Sequence, residues 1–394
     1  MTKTLINECQ QIVSSYSGIE LSMKICIINL ESYFTGGGAM TVSKHLAAAL
    51  AGVGHDVHLL CLSINDDAVN CSDLNYSVHQ VSYPKSSCNL FLSFAKKIKY
   101  IYNLYRSLVS IQPDIIHSQG VNPTYFTYLY SLKYHVPYCI GFHSDPYLYA
   151  DSILSKFMLK CGRHLPFVRK ASASFSVSKA IIPTIEQIFN LQPVYIANGA
   201  DTKLFYPPVT KKHSFNIICV SRMVHEKGLE DAISAMGEII ILYPEAVLYL
   251  VGDGPIRQDL EKQVSALSLQ KNVKFTGFIR NDELIDYYHN SEVYLLPSWN
   301  EAFSVVILEA MGTGLPIVST PVGVAPEIVT NENGILVPLH SPHDIAEAIC
   351  KIFSLSFDDY YLMSERNVNV IRKNSWDSII RRYEEIYFDC LNIS

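Results

Sequence analysis

Short apolar runs alternate with stretches of helical spacing along the first half of the chain. Residues 23–32 (MKICIINLES) form a nearly continuous apolar run, which is typical of a strand buried on both faces of a parallel sheet. From Leu90 to Ser110, apolar residues recur three and four positions apart, which predicts a helix. The other elements predicted here are a helix ending near Leu50 and strands over 55–63, 113–119, 137–145, 173–178 and 193–199.

The same alternation starts again after residues 198–213 (NGADTKLFYPPVTKKH), whose turn residues, charges and proline pair are typical of a linker. Two series of strands and helices predict an α/β fold with two Rossmann-like parallel sheets, each carrying helices on both faces. The second series consists of strands over 215–222, 246–254, 272–278, 292–298, 316–320 and 334–338, and helices over 228–241, 255–268, 282–289, 303–312 and 342–353.

The length of 394 residues favours two domains. We expect a leader over 1–22, a first domain over 23–200, a linker over 201–213 and a second domain over 214–375. The last segment, 376–394, is predicted to be a helix that packs back on the first domain. Its apolar stripe consists of Trp376, Ile379, Ile380, Tyr383, Ile386, Tyr387, Cys390 and Leu391.

Composition indicates a cytoplasmic protein with large buried cores. Hydrophobic residues make up 49% and charged residues 17% of the chain, and no apolar run reaches the ~18–20 residues that span a bilayer. No secretory leader pattern opens the sequence. The ten cysteines include no CxxC pair, which favours reduced thiols over a disulfide framework or a zinc site.

The net charge of −6 is unevenly distributed. Residues 1–195 hold 15 basic and 11 acidic residues, whereas the remainder holds 16 basic and 26 acidic residues. The first half is therefore the one suited to an anionic partner. No dense Lys/Arg stripe and no RNA-binding motif occurs, so we expect no nucleic-acid partner.

Two cations stand at a predicted strand end in SRMVHEKG (221–228). Arg222 and Lys227 are five residues apart and precede a glycine that starts a helix. Two cations held close together repel each other unless an anion binds between them. A diphosphate would suit this pair, because the arginine offers a planar guanidinium group and the lysine a compact point charge. The alternative is a solvated surface loop.

Two acids and a helix start lie close together in PSWNEAFSVVILEAMGTGLP (297–316). Glu301 precedes the predicted helix and Glu309 lies inside it. The first amides of that helix, near Phe303, Ser304 and Val305, lie at the positive end of its dipole, where phosphates bind. The two carboxylates could then accept hydrogen bonds from sugar and ribose hydroxyls on either side of a bound diphosphate. Alternatively, Glu301 is an ordinary surface residue and Glu309 lies on an ordinary helix face.

Three further segments place small or polar residues at predicted strand ends. Gly37 and Gly38 in TGGGAM could bring backbone close to a ligand, and Gly252 in VGDGP could admit a flat base. His143 in GFHSD is a candidate site residue. Tight turns and a structural histidine are the alternatives.

Several chemistries have no visible motif. The sequence contains no Asp-x-Asp, HExxH, GxSxG, GxGxxG or P-loop pattern. We therefore predict no bound metal and no cofactor.

Taken in order, these motifs resemble the retaining glycosyltransferase family 4, which has the GT-B fold of two Rossmann-like domains facing across a cleft. The segments that carry the resemblance are TGGGAM, PDIIHSQG, GFHSD, NGADTKLF, VSRMVHEKG, LVGDGP, VKFTGF and PSWNEAFSVVILEAMGTGLPIVST, which span about residues 23–325. The resemblance implies metal-independent transfer of a sugar from a nucleotide diphosphate, with retention of anomeric configuration. A family-level expectation is hexose transfer from UDP or GDP in cell-surface polysaccharide assembly, such as that of lipopolysaccharide.

The resemblance also implies residue roles. Arg222 and Lys227 match the pair that holds the donor diphosphate, Glu301 matches the acid that binds the transferred sugar, and Glu309 matches the acid that binds the ribose. Gly37 and Gly38 match the loop near the diphosphate and acceptor, and His143 matches the histidine at the sugar.

Three departures from the family pattern stand out. The usual Gly-Phe-Gly after the first acid is Ala302-Phe303-Ser304, which alters the expected sugar pocket. A frequent second histidine is Gln119, and the leader 1–22 has no counterpart.

The acceptor, a saccharide or a lipid-linked saccharide, is expected at the first domain. Basic stretches with interleaved aromatics at 95–106 and 156–170 suggest contact with an anionic membrane, at its inner face, where each clustered cation gains ~1 kcal/mol. A solvated helix face is the alternative. Two other functions also fit the pattern: a sugar-nucleotide epimerase of the same fold and a degenerate nucleotide-sugar-binding module.

Overall fold

A computed structural model describes residues 22–33, 37–63, 69, 71–82, 90–144, 146, 159–209 and 214–392. The predicted leader lies outside these residues except for Ser22. Within the described ranges the protein contains two parallel sheets with helices between most successive strands, so the predicted α/β class is confirmed. No helix among the described residues is both long and apolar enough to cross a bilayer.

The first sheet has seven strands. They are β1 (Lys24–Ser32), β2 (Asp56–Ser63), β3 (Ser77–Ser82), β4 (Ile115–Gln119), β5 (Tyr138–Phe142), β6 (Ala173–Ser176) and β7 (Val194–Tyr195), in the order β3-β2-β1-β4-β5-β6-β7. The helices of this part are α1 (Gly38–Gly52), α2 (Leu90–Ile111), α3 (Thr124–Tyr134), α4 (Pro166–Arg169) and α5 (Ile182–Phe189). The chain order reverses between β1 and β4, which pair in parallel.

The second sheet has six strands, β8 (Asn216–Val220), β9 (Val247–Val251), β10 (Val273–Gly277), β11 (Val293–Leu296), β12 (Ile317–Ser319) and β13 (Gly334–Leu336), in the order β10-β9-β8-β11-β12-β13. Its helices are α6 (Leu229–Leu242), α7 (Arg257–Ala266), α8 (Asn281–His289), α9 (Val305–Gly312), α10 (Ala325–Ile328), α11 (Pro342–Phe353) and α12 (Phe357–Lys373); α13 (Trp376–Asn392) ends the described chain. The chain order reverses between β8 and β11.

Alternating side chains of β8 explain why the second sheet is covered on both faces. Ile217 and Cys219 belong to one buried cluster, whereas Ile218 belongs to another. Successive side chains of a strand point to opposite faces, so a strand that is apolar at every position must be buried on both. The nearly continuous apolar runs in the sequence have this origin.

Two compact units can be distinguished among the described residues. One comprises the chain up to 141 together with 166–173 and the chain from 384, and the other comprises 142–165 and 174–383. The end of α13 packs within the first unit, where Glu384, Tyr387 and Cys390 contact, in that order, His55, His117 and Cys139. The domain boundaries expected at 200 and 213 stay predictions.

Candidate active site

The loops that follow β8 and β11 are neighbours, because these two strands pair in parallel at the point where the chain order reverses. Such a reversal leaves a crevice outside the carboxyl ends of the strands, where open α/β sheets bind ligands. The loop after β8 carries Arg222 and Lys227, and the loop after β11 carries Glu301. The topology therefore brings three of the predicted site residues to one edge of the sheet.

Lys227 and Glu301 form an ion pair. The Lys227 Nζ atom lies 2.8 Å from Glu301 Oε1, and the two side chains are only 19% and 13% exposed. The Ser298 hydroxyl donates a second hydrogen bond to the same carboxylate oxygen, at 3.1 Å. Because water is largely excluded, the orientation of this pair is better defined than that of a surface salt bridge.

Close backbone packing fixes the two loops against each other. Gly228 has a φ of +60°, and a Cβ atom at this position would lie 2.1 Å from the carbonyl oxygen of Pro297. The Trp299 amide donates to the Glu226 carbonyl at 2.8 Å, and the Trp299 indole donates to Asp231 at 2.7 Å. The positions of Lys227 and Glu301 are thus set by contacts on both sides of the pair.

Arg222 differs from Lys227 in being exposed. Its side chain makes no ion pair or side-chain hydrogen bond within the described ranges. A guanidinium group cannot lose its proton near neutral pH, so it remains a cation that an incoming anion can engage.

Helix α9 begins at Val305, directly after the loop that carries Glu301. The amides of a first helical turn have no partner within the helix, and Ser304, the N-cap residue, provides no side-chain cap. The Phe303 side chain is buried, and the Phe303 backbone carbonyl accepts a hydrogen bond from the Val324 amide. The backbone amides of this first turn can donate hydrogen bonds to a bound anion.

Glu309 lies one turn further along α9 and is only 6% exposed. The Tyr288 hydroxyl donates to Glu309 Oε2 at 3.0 Å. Burial raises the pKa of Glu309 to about 7, although the Tyr288 hydrogen bond acts in the opposite direction. The carboxyl group therefore titrates near neutral pH.

Gly252 follows β9 and has a structural reason to be glycine. Its φ is +129°, and a Cβ atom would lie 2.0 Å from the carbonyl oxygen of Ser221. The residue brings the loops after β8 and β9 into contact. Its predicted role in substrate binding stays a prediction.

In the first unit, Gly37 immediately precedes α1 and Gly38 is its first residue. The Gly37 amide donates to Glu31 Oε2 at 3.2 Å. Burial raises the pKa of Glu31, while hydrogen bonds from the Gly37 and Met40 amides lower it. No atom of the described residues lies within 4 Å of a Cβ built on either glycine.

His143 lies directly after β5. Burial of its imidazole lowers the pKa of His143 to about 4, so the ring is neutral at pH 7. A neutral imidazole can donate one hydrogen bond and accept another, but it cannot act as a cation.

The structure brings together Lys227, Glu301 and the start of α9. Glu309 lies further along α9. Sequence reasoning missed Ser298 and Tyr288, which hold the two carboxylates, and Glu31, which binds the glycine loop. Ser298 could have been found from its place at the end of the predicted strand. The described residues contain no group of His, Cys, Asp and Glu arranged to hold a metal ion.

Two family models cover most of the chain. The model described as Glycosyltransferase Family 4 matches residues 36–204, and the model described as Glycosyl transferases group 1 matches residues 203–369.

Similar proteins include an uncharacterized glycosyltransferase of Methanocaldococcus jannaschii, 27% identical over 378 residues, which are 89% of this chain and 94% of that protein. The gpi3 subunit of phosphatidylinositol N-acetylglucosaminyltransferase of Schizosaccharomyces pombe is 29% identical over 196 residues, 49% of this chain and 42% of that protein.

Solved structures share the fold. Sucrose-phosphate synthase of Thermosynechococcus elongatus superposes with a TM-score of 0.79 at 20% identity, covering 94% of this chain and 99% of that one. HepE of Anabaena in complex with UDP superposes with a TM-score of 0.76 at 18% identity, covering 93% of this chain and all of that one.

Proposed function

The chain belongs to glycosyltransferase family 4, and on that basis we propose that it transfers a hexose-type sugar from UDP or GDP to a hydroxyl group of a saccharide or lipid-linked acceptor. The proposed transfer retains the anomeric configuration and needs neither a bound metal ion nor a cofactor. The observation that carries the proposal is the mostly buried Lys227–Glu301 pair beside the start of α9.

Departure of a nucleoside diphosphate builds up negative charge, and the second unit has groups suited to stabilise it. Arg222, Lys227 and the first amides of α9 are donors that need no reorganisation when the charge develops. One such preorganised donor is worth ~3–4 kcal/mol in the transition state. In this proposal Glu301 accepts hydroxyls of the transferred sugar, and binding of the diphosphate draws Lys227 away from it.

The anomeric configuration is retained if the diphosphate leaves from the same face of the sugar that the acceptor hydroxyl attacks. The bond between the anomeric carbon and the phosphate oxygen breaks, and the acceptor oxygen forms its bond to that carbon on the same face. The released phosphate oxygen takes the acceptor's proton. His143, Gly37 and Gly38 are proposed to contact substrate in the way the family resemblance implies, and His143 would do so as a neutral ring.

The identity of the donor base and of the acceptor is supported by the named relatives. HepE of Anabaena was solved with UDP, which supports a uridine donor. The gpi3 relative is named for transfer to phosphatidylinositol, which supports a lipid-linked acceptor. We propose cell-surface polysaccharide assembly, such as that of lipopolysaccharide, as the pathway, at the cytoplasmic face of the membrane.

A surface on the first unit supports the membrane part of the proposal. Helices α2 and α3 contain no acidic residue, and they expose Ile98, Tyr102, Leu129 and Leu132 to solvent. The two helices are in contact: the ring of Tyr105 on α2 packs edge to face with the ring of Tyr130 on α3, with 6.0 Å between the ring centroids. Apolar and aromatic side chains without acids favour an anionic lipid surface.

Cations complete this surface, which we name the α2–α3 surface. Lys99, Arg106 and Lys133 lie on it and are exposed. The second basic stretch suggested by the sequence, 156–170, lies partly outside the described residues, and its Arg163 donates to the Gln187 carbonyl at 2.9 Å. The α2–α3 surface is therefore the better-supported membrane contact.

A donor panel tests the proposed function. Purified protein is incubated with UDP-linked and GDP-linked hexoses, with and without a total lipid extract, and release of the nucleoside diphosphate is measured. We expect Lys227→Ala or Glu301→Ala to lower turnover about 100-fold or more while leaving the circular dichroism spectrum intact. Lys262→Ala is the matched control, because Lys262 forms an exposed ion pair with Asp259 on α7.

Unchanged turnover in the Lys227 and Glu301 variants would refute the assignment of the site. Formation of an epimer without any acceptor would favour the epimerase instead. Tight donor binding without turnover by the unaltered protein would favour the binding module.

A further inference from the structure

A buried carboxyl group on α9 depends on a side chain from a different helix. Glu309 is 6% exposed and Tyr288, on α8, is fully buried. Tyr288 donates its hydroxyl to Glu309 Oε2 at 3.0 Å, whereas Oε1 has no hydrogen bond from any described residue. One oxygen of the carboxylate is thus fixed by the protein, and the other remains available to a ligand.

Among the described residues, no cation acts on the pKa of Glu309. Tyr294 on β11 and Cys219 on β8 are buried and neutral, and both raise the pKa of Tyr288 without acting on Glu309. Asp201, in the loop after β7, is an acid that disfavours a second negative charge. The Tyr288 hydroxyl is the group among the described residues that favours the ionised form of Glu309.

Tyr288 is itself held in place by packing. Its ring lies edge-to-face with the Phe205 ring, 5.7 Å between centroids, and 6.2 Å from the Tyr294 ring. A fully buried ring between two aromatic neighbours has little freedom to rotate, so its hydroxyl is presented in one direction. The hydrogen bond is therefore preorganised before any ligand arrives.

We propose that Tyr288 is a positioning residue for the donor: its hydroxyl holds Glu309 Oε2 so that Oε1 accepts a hydroxyl group of the donor's ribose. This inference rests on the proposed function, because the ribose is assigned to Glu309 through the family resemblance. An ionised carboxylate accepts a stronger hydrogen bond than a protonated one. Donor binding should then depend on the protonation of Glu309 and, through it, on Tyr288.

The direction of the pH dependence follows from the hydrogen bond. The Tyr288 hydroxyl favours the charged carboxylate, so removing it raises the pKa of Glu309 further above its ordinary value. In the unaltered protein, affinity for the donor should fall as the pH drops through about 7. In Tyr288→Phe the same fall should begin at a higher pH.

Titration calorimetry with UDP and with GDP tests the proposal over a range from about pH 6 to pH 9. We expect Tyr288→Phe to weaken binding about tenfold near pH 7 and to recover most of that affinity at the alkaline end. In steady-state assays the Michaelis constant for the donor should rise while kcat changes little, because in this proposal Glu309 contacts the ribose and not the transferred sugar.

Tyr294→Phe is the matched control. Tyr294 is also fully buried, it neighbours Tyr288, and its hydroxyl has no hydrogen-bond partner among the described residues. This variant should leave the pH at which binding weakens unchanged. Combining Tyr288→Phe with Glu309→Gln should weaken binding no more than Glu309→Gln alone, because the group that Tyr288 orients no longer ionises.

Two results with the Tyr288→Phe variant would overturn the inference. Tyr288→Phe could bind like the unaltered protein at every pH, or its loss of affinity could be equal at every pH, as expected for general destabilisation. If the unaltered protein binds neither UDP nor GDP, the proposed donor class fails, and the inference fails with it. Binding by the unaltered protein separates the two cases.

Discussion

Ser304 occupies a backbone conformation that favours glycine. It has a φ of +74° and is the N-cap residue of α9, where the family pattern has the second glycine of Gly-Phe-Gly. Its hydroxyl oxygen is buried without a hydrogen-bond partner among the described residues. A left-handed conformation costs a residue with a Cβ atom roughly 1–2 kcal/mol. The departure from the family pattern therefore preserves the turn at a cost in stability.

Ser304→Gly is expected to raise the free energy of unfolding by about 1 kcal/mol, because it removes both the left-handed strain and the buried hydroxyl. Urea denaturation monitored by circular dichroism measures the change. Ser268→Gly is the matched control: Ser268 has a φ of +59° but is exposed, so its replacement relieves strain alone and should stabilise less. A Ser304→Gly variant less stable than the unaltered protein would contradict this account of the turn.

The residues that carry charge could be predicted from the sequence, whereas those that support them could not. Lys227 and Glu301 lie at predicted strand ends, and adjacent parallel strands bring such residues to one edge. Tyr288 has the spacing of an ordinary core residue of an amphipathic helix. The contact of Tyr288 with Glu309 depends on how α8 packs against α9. The spacing of residues along one helix cannot predict how two helices pack.

Among the elements, strands buried on both faces were the easiest to predict. β1, β8 and β11 are nearly continuous apolar runs, and each lies within its sheet with a strand on either side. The edge strand β3 (SVHQVS) is half-buried and mostly polar, so its pattern does not distinguish it from a loop.

Helices α3 and α12 are among those that the sequence did not predict, and each has a physical reason. Helix α12 spans 17 residues, but only Tyr360, Asn367 and Ile371 are buried. Helix α3 is rich in tyrosines, which favour strands as much as helices when only the sequence is considered. A predicted strand over 193–199 is reduced to Val194–Tyr195, because the chain leaves the sheet there.

At the scale of the whole molecule, the uneven charge distribution has a structural counterpart. Residues 1–195 hold more basic than acidic residues, and the remainder holds more acidic than basic ones. The α2–α3 surface concentrates cations and exposed apolar side chains within the basic half. An anionic bilayer would attract this half and repel the other.

Vesicle pelleting tests the α2–α3 surface. The protein should pellet with phosphatidylglycerol-containing vesicles at low salt and remain in solution with phosphatidylcholine alone, because the attraction is partly electrostatic and screened by salt. Replacing Lys99 and Arg106 by glutamate should abolish pelleting. Lys262→Glu, on the acidic half, is the matched control and should pellet like the unaltered protein. Equal pelleting with both kinds of vesicle, or none, would remove the proposed membrane contact.

The central claim is that fixed cations and the start of α9 neutralise a departing diphosphate, and a crystal structure with bound UDP or GDP tests it most directly. We expect the diphosphate to contact the Arg222 guanidinium, the Lys227 ammonium and the amides near Ser304, with a ribose hydroxyl on Glu309. The Lys227–Glu301 distance should lengthen from 2.8 Å as the phosphate takes the ammonium group. A diphosphate bound elsewhere, with both cations turned away from the first turn of α9, would contradict the account.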